Sequence, residues 1–183
     1  MNELKDTAPA VARRLLGSYL ERTIDGHRIV ARIVETEAYD ETDAASHSFK
    51  GRTPRTDVMF GPAGHLYVYF TYGMHYCCNV VTGKEGEGAA VLIRAVEILE
   101  GEQYDLRPGT GINLGNGPAK LCQALGIDKD LNGHALTLSP LRLLLQDPVA
   151  DTKITQTTRI GIQKAVDSPY RFYVTDSPAV SRL

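Results

Sequence analysis

The sequence predicts an α+β (mixed α/β) fold. A curved, mostly antiparallel sheet with short flanking helices and a protruding β-hairpin forms a single compact domain over residues 1–183. Three observations lead there. The stretch LYVYFTYGMHYCCNVV, residues 66–81, sets two runs of β-branched and aromatic side chains around Tyr72, Gly73 and Met74; such side chains suit a pleated, half-buried surface. Residues 19–37 repeat that pattern around Asp25-Gly26, a strong hairpin signal. Residues 7–16 and 118–125 carry helix start and stop signals. No repeat, low-complexity tract or linker divides the chain.

In chain order, Thr7 or Asp6 can cap a first helix that has Pro9 in its opening turn and Gly17 as its stop. A strand at 19–23 turns back into a longer one at 27–37, which carries Ile29, Ala31 and Ile33 and then Glu35 and Glu37. Residues two apart on a strand share a face, so both acids are expected to point the same way. A solvated face would set two like charges side by side, a mildly unfavourable pairing that invites a reason. Residues 40–54 read as polar loop with a helical turn near 44–46. His47, Lys50, Arg52 and Arg55 fall in a window, residues 44–56, that contains no acid; a solvated loop or a phosphate contact would each account for it.

The 66–81 hairpin puts the ring of Tyr72 at or beside its tip. A tip is normally polar, so the ring should either fold back onto its own hairpin, the plainer expectation, or meet a partner. Residues 82–88 form a Gly-rich turn that matches neither GxGxxG nor a P-loop. Residues 89–99 are nearly continuously apolar and make the best candidate for the sheet centre. Arg94 lies inside that run. A buried guanidinium left unpaired is strongly destabilising, so it needs a carboxylate, and Glu37 or Glu35 is the economical partner. Residues 101–105 are expected to be helical and 107–117 irregular. Pro118 opens a short helix reaching Leu125, with Gly126 as its cap and free N–H groups beside Lys120 at its start as a candidate anion site. Short strands are expected at 136–138, 141–145, 159–162 and 171–174, with loop at 147–158.

Composition narrows the classes. The chain is 43% apolar and 23% charged, as soluble globular proteins are. A formal net charge of −2 argues mildly against nucleic acid as a partner, although a basic patch on one face suffices to hold phosphates. Cys77, Cys78 and Cys122 form neither a disulfide framework nor a zinc set. Alternation points Cys77 and Cys78 to opposite faces, and all three read as reduced core residues of a cytoplasmic protein. The N-terminal residues lack the apolar run of a signal peptide, and no stretch is long enough to span a bilayer.

No Ser-His-Asp arrangement, HExxH or other metal-ligand spacing stands out. What remains is a strand carboxylate, an Arg from an apolar strand, several tyrosines, one loop His and a basic cluster. A carboxylate held by an Arg suits activation of a water. Aromatic rings suit stacking on a flat heterocycle, at ~1–3 kcal/mol per base. Together these fit hydrolysis at a carbon attached to a base, a reading that spacing alone supports weakly.

The segments IVETEAY (33–39), AASHS (44–48), RTPR (52–55), LYVYFTYGMHYCCNV (66–80), VLIRAVEILEG (91–101), GPAKLCQALGI (117–127), RIGI (159–162) and RFYVTDSP (171–178) together resemble the alkyladenine (3-methyladenine) DNA glycosylase family, in order and over nearly the whole chain. The resemblance implies a compact mixed α/β domain and monofunctional N-glycosylase activity on alkylated purines in double-stranded DNA, with no metal, no cofactor and no covalent enzyme intermediate. Carried over by position, Glu37 resembles the general base, Arg94 the residue that orients it, and Ile160 the residue whose backbone carbonyl also holds the water. Tyr39, His47 and Tyr69 match walls of the base pocket, and Asn79 the side chain that crowds the amino group of guanine. Tyr72 matches the tip residue that enters the minor groove, and Arg52, Thr53 and Lys120 resemble positions contacting the DNA backbone. A monomer is expected. Two other classes stay open: a non-catalytic binder of damaged DNA, and a hydrolase of free nucleosides, for which Tyr72 would have no task.

Overall fold

A computed structural model describes residues 2–101 and 114–181; the expectations for residues 102–113 lie outside these. Eight strands among the described residues join in one antiparallel sheet. They are β1 (Tyr19–Ile24), β2 (His27–Tyr39), β3 (Leu66–Thr71), β4 (His75–Val81), β5 (Ala90–Glu100), β6 (Leu141–Leu144), β7 (Ile154–Thr157) and β8 (Arg171–Val174). The main path runs β3-β4-β5-β2-β1-β6. β2 is long enough to pair with β1 along its first half and with β8 along its second, and β7 extends the sheet from β8. Two α-helices among the described residues, α1 (Ala8–Leu15) and α2 (Pro118–Ala124), complete the α+β architecture.

α1 begins at Pro9's compatible first turn and ends before Gly17, whose φ of +81° few other residues tolerate. Its buried stripe of Ala8, Val11, Ala12 and Leu15 covers the sheet, and Leu121, Cys122 and Ala124 of α2 do the same. Alternation divides the strands between two faces. Leu66, Val68, Cys78, Val80, Val91 and Ile93 join the helices in the main core. The opposite face carries Tyr67, Val81 and Ala90, which pack beneath a 3-10 turn, Asp57–Phe60, through Met59 and Phe60. Cys77 and Cys78 therefore do point apart, Cys78 into the core and Cys77 toward the other face.

The β2–β5 ladder slips twice in the middle. Ile33 faces Val96, Glu35 faces Ala95, and Thr36 faces Ile93. Val34 is thus an extra residue on β2 and Arg94 an extra residue on β5, and beyond them the register resumes unchanged.

Several sequence expectations differ from the structure. Residues 159–162 form a bend in place of a closing strand, with Gly161 at φ +76°, a conformation incompatible with a strand. Residues 154–157, expected as loop, form β7; this short polar strand is an edge, where no apolar pattern is needed. Residues 136–138 make no strand and run instead into the turn at Ser139-Pro140, with Leu138 exposed. The helical turn expected at 44–46 falls at His47–Lys50, where the Ser46 hydroxyl accepts a capping bond from the Ser48 N–H.

Candidate active site

The face opposite the helices opens into a cleft of about 680 Å³. Eight of the site residues that the family resemblance implied line it: Glu37, Tyr39, His47, Tyr69, Tyr72, Asn79, Arg94 and Ile160. They come from β2, β3, the turn between β3 and β4, β4, β5, the 3-10 turn after residue 46 and the bend at 159–162. Arg52, Thr53 and Lys120 do not line it. Arg52 is exposed and paired with Asp57 at 2.6 Å, Thr53 bonds within its own loop to Thr56, and Lys120 donates to Asn116 at 2.7 Å.

Glu37 is fully buried on β2. Two donors and one cation converge on its carboxylate: the Tyr39 hydroxyl donates to Oε2 at 2.8 Å, the Ile160 backbone N–H donates to Oε1 at 2.8 Å, and Arg94 Nη1 is ion-paired 3.4 Å from Oε1. The carboxyl oxygens accept both bonds, and a buried acid needs partners of this kind. Burial, then the Glu37 charge, pushes the Tyr39 phenol far up, so its proton stays in place as a donor.

Arg94 bridges both acids. Its Nε donates to Glu35 Oε1 at 3.1 Å while Nη1 reaches Glu37. Neither acid is solvated, so the sheet-face alternative for the pair does not hold. Glu35 also accepts from Arg171 Nε at 2.7 Å and from the Ser181 N–H and hydroxyl at 2.7 and 3.0 Å.

The walls are aromatic. The His47 ring meets Tyr69 edge-on at 4.5 Å between centroids, and its Nδ1 lies 3.0 Å from the Tyr67 hydroxyl. Burial, reinforced by the Arg55 charge, lowers the His47 pKa and favours the neutral imidazole. Burial raises the Tyr69 phenol far above its ordinary value and pushes the Cys77 thiol up to about 11. Asn79 is buried, with its amide donating to the Tyr67 carbonyl at 3.1 Å.

Tyr72 stands at the cleft mouth with 84% of its surface exposed, so the expectation that it folds back onto its hairpin fails. Both Tyr72 (φ +51°) and Gly73 (φ +69°) are left-handed, and the Met74 N–H closes the turn on the Thr71 carbonyl at 3.2 Å. Tyr72 thus takes a backbone conformation uncommon for its residue type.

Among the described residues, the charged side chains lining the cleft are Lys50, Arg55, Arg94 and Lys164 against Glu37. A chain of net charge −2 thus concentrates positive potential on this face. Sequence reasoning missed Arg159, Asp43, Lys164 and Ser181. Arg159 is buried, forks onto Asp43 and donates to the Ala38 carbonyl at 3.0 Å. Its place in an otherwise apolar RIGI segment is the same signal that drew attention to Arg94.

The profile of a family described as methylpurine-DNA glycosylase (MPG) matches residues 2–178. Among curated relatives, a provisionally named 3-methyladenine DNA glycosylase of Carboxydothermus hydrogenoformans is 52% identical over 176 residues, covering 94% of this chain and 92% of that one. Its counterpart in Methanoculleus marisnigri is 49% identical over 186 residues, covering 97% and 95%. One from Myxococcus xanthus is 49% identical over 179 residues, covering 96% and 89%. Profile and relatives agree on one class, the DNA-repair glycosylases, enzymes that remove bases from DNA. Extent and identity leave the assignment plain: the chain belongs to the methylpurine-DNA glycosylase family.

Proposed function

We propose that this protein, acting as one domain and as a monomer on chromosomal DNA, excises alkylated purines such as 3-methyladenine from double-stranded DNA by hydrolysing the N-glycosidic bond. The target carbon is unreachable within a duplex, so the nucleotide rotates out at a cost of a few kcal/mol, least for a damaged pair. Tyr72, exposed at the cleft mouth, fills the vacated space and recovers part of the lost stacking. The extruded base enters between Tyr39 on one side and His47 with Tyr69 on the other. A cationic methylated purine is attracted by their π-faces, and a neutral His47 does not repel it.

Glu37 then takes a proton from a water as the water oxygen bonds to C1′. The C1′–N bond breaks, its electron pair leaves with the base, and a cationic base departs neutral. Arg94 holds Glu37 in place, Ile160 carries its carbonyl to the water, and the Asn79 side chain crowds the amino group that guanine adds. Lys50, Arg55 and Lys164 meet phosphates at the cleft, with Arg52, Thr53 and Lys120 further along the backbone.

The observation that carries this reading is a buried Glu37 carboxylate, held by Arg94, Ile160 and Tyr39, in a ring-lined cleft with Tyr72 projecting beside it. The test is release of free 3-methyladenine from methylated duplex DNA by wild type and Glu37→Gln. Loss of a general base costs about 10²–10⁴ in rate. Undiminished release by the variant would remove Glu37 from the mechanism. Tight binding of damaged duplex by wild type without any base release would instead support the non-catalytic binder.

A further inference from the structure

We infer that Glu35 is a positioning residue for base excision. By gripping one edge of the Arg94 guanidinium it limits Arg94 to an ion pair with Glu37, which leaves that carboxylate free to accept a proton. The inference rests on the reading of Glu37 as the general base.

Glu35 does not line the cleft, so it touches no substrate. It is nonetheless fully buried, and its carboxylate is saturated: Arg94 Nε, Arg171 Nε, the Ser181 hydroxyl and the Ser181 N–H all donate to it. A guanidinium can fork onto a carboxylate through two parallel N–H groups, the strongest geometry available to it. On Arg94 the Nε and Nη2 groups are turned away from Glu37, toward Glu35 at 3.1 Å and the Ser181 hydroxyl at 3.4 Å. Toward Glu37 it makes an ion pair, with Nη1 3.4 Å from Oε1.

The hydrogen-bond donors to Glu37, Tyr39 and Ile160, place one bond on each oxygen, so lone pairs remain for a water. Without Glu35 the guanidinium would close its fork on the one acid left to it. Hydrogen bonds to the charged form make a carboxylate a weaker base, so Glu37 would be better held and less reactive. The ion pairs agree: among the described residues Arg94 pairs with both Glu35 and Glu37, and Arg171 pairs with Glu35. Arg171 compensates the second acid, which allows Glu35 to compete for Arg94 without leaving an uncompensated buried charge.

A double-mutant cycle tests this, with single-turnover release of 3-methyladenine from methylated duplex DNA and duplex affinity measured in parallel. Glu35→Gln keeps the shape and an acceptor oxygen but removes the charge. It should slow release about tenfold or more while affinity stays within about twofold, because the change falls on the chemical step. In an Arg94→Gln background the same substitution should slow release no further, since Glu35 acts through Arg94. Release by Glu35→Gln within about twofold of wild type, or losses that multiply in the double variant, would overturn the inference. Should Glu35→Gln fail to fold, Ser181→Ala removes one donor from the same grip. It should slow release a few-fold in wild type and not at all beside Arg94→Gln; equal loss in both, or none in either, would also overturn it. Wild type releasing no methylated purine refutes the glycosylase reading and the inference with it. An active wild type with a silent Glu37→Gln, set beside a failed cycle, sinks the role of Glu35 alone.

Discussion

The guanidinium of Arg159 lies 4.6 Å from the centroid of the Tyr39 ring and forks onto Asp43 at the same time. One side chain thereby ties together β2, the loop after it and the bend that delivers Ile160. Tyr39 is both a wall of the cleft and a donor to Glu37, so this cation–π contact fixes two functions of one ring.

Asp43→Asn should therefore be among the costliest single changes outside the cleft. It leaves a buried Arg159 without its counter-charge, and breaking a buried pair in this way costs about 3–5 kcal/mol. Denaturant unfolding of the variant, compared with wild type, measures it.

Tyr72→Ala should do the reverse. The side chain touches little of its own protein, so unfolding free energy should change by less than about 0.5 kcal/mol. Excision from duplex DNA should fall about tenfold or more, with a smaller loss on single-stranded DNA, where a few kcal/mol of unstacking need not be offset. Equal losses on both substrates would argue against insertion.

His47 gives the protein a pH-dependent stability. Its folded-state pKa is lowered by burial and then by Arg55, so the native state favours the neutral ring. Below the ordinary imidazole range the unfolded chain binds the extra proton more readily. Stability should fall as pH drops from that range through the lowered folded value. Thermal unfolding across a pH series should show this loss in wild type and a flatter profile in His47→Gln.

The cations in the cleft should govern salt dependence. Lys50→Gln or Lys164→Gln should each reduce the slope of log K against log salt for duplex binding by about 0.9, the value for one phosphate contact. Arg52→Gln, whose partner is Asp57 and whose place is outside the cleft, should change the slope less.

Much of the fold was legible because hairpin chemistry is local. Asp25-Gly26 and Gly73 mark their turns by the positive φ they adopt, and β5 announces itself as an unbroken apolar run. Arg94 was legible as a charge inside that run, since such a residue must be paired. Arg159 carries a similar signal, but reading residues 159–162 as a strand set its side chain in the wrong context. Asp43 and Ser181 gave none: each is an ordinary loop residue whose role is fixed by a partner more than 100 positions away, Arg159 and Glu35 respectively. β7 was missed because an edge strand is stabilised by its ladder bonds more than by an apolar pattern.

The paired slips in β2 and β5 decide on which side of the sheet Glu37 falls. Ile29, Ala31 and Ile33 enter the main core at odd positions, whereas Ala38 enters it at an even one. Had the strand kept its phase, Glu37 would follow Ile33 and carry its charge among the leucines beneath α1. One supernumerary residue on each strand shifts both by half a period together, so apolar residues still meet apolar neighbours on either flank. The acid is thus delivered to the outer surface of a sheet whose inner surface stays intact.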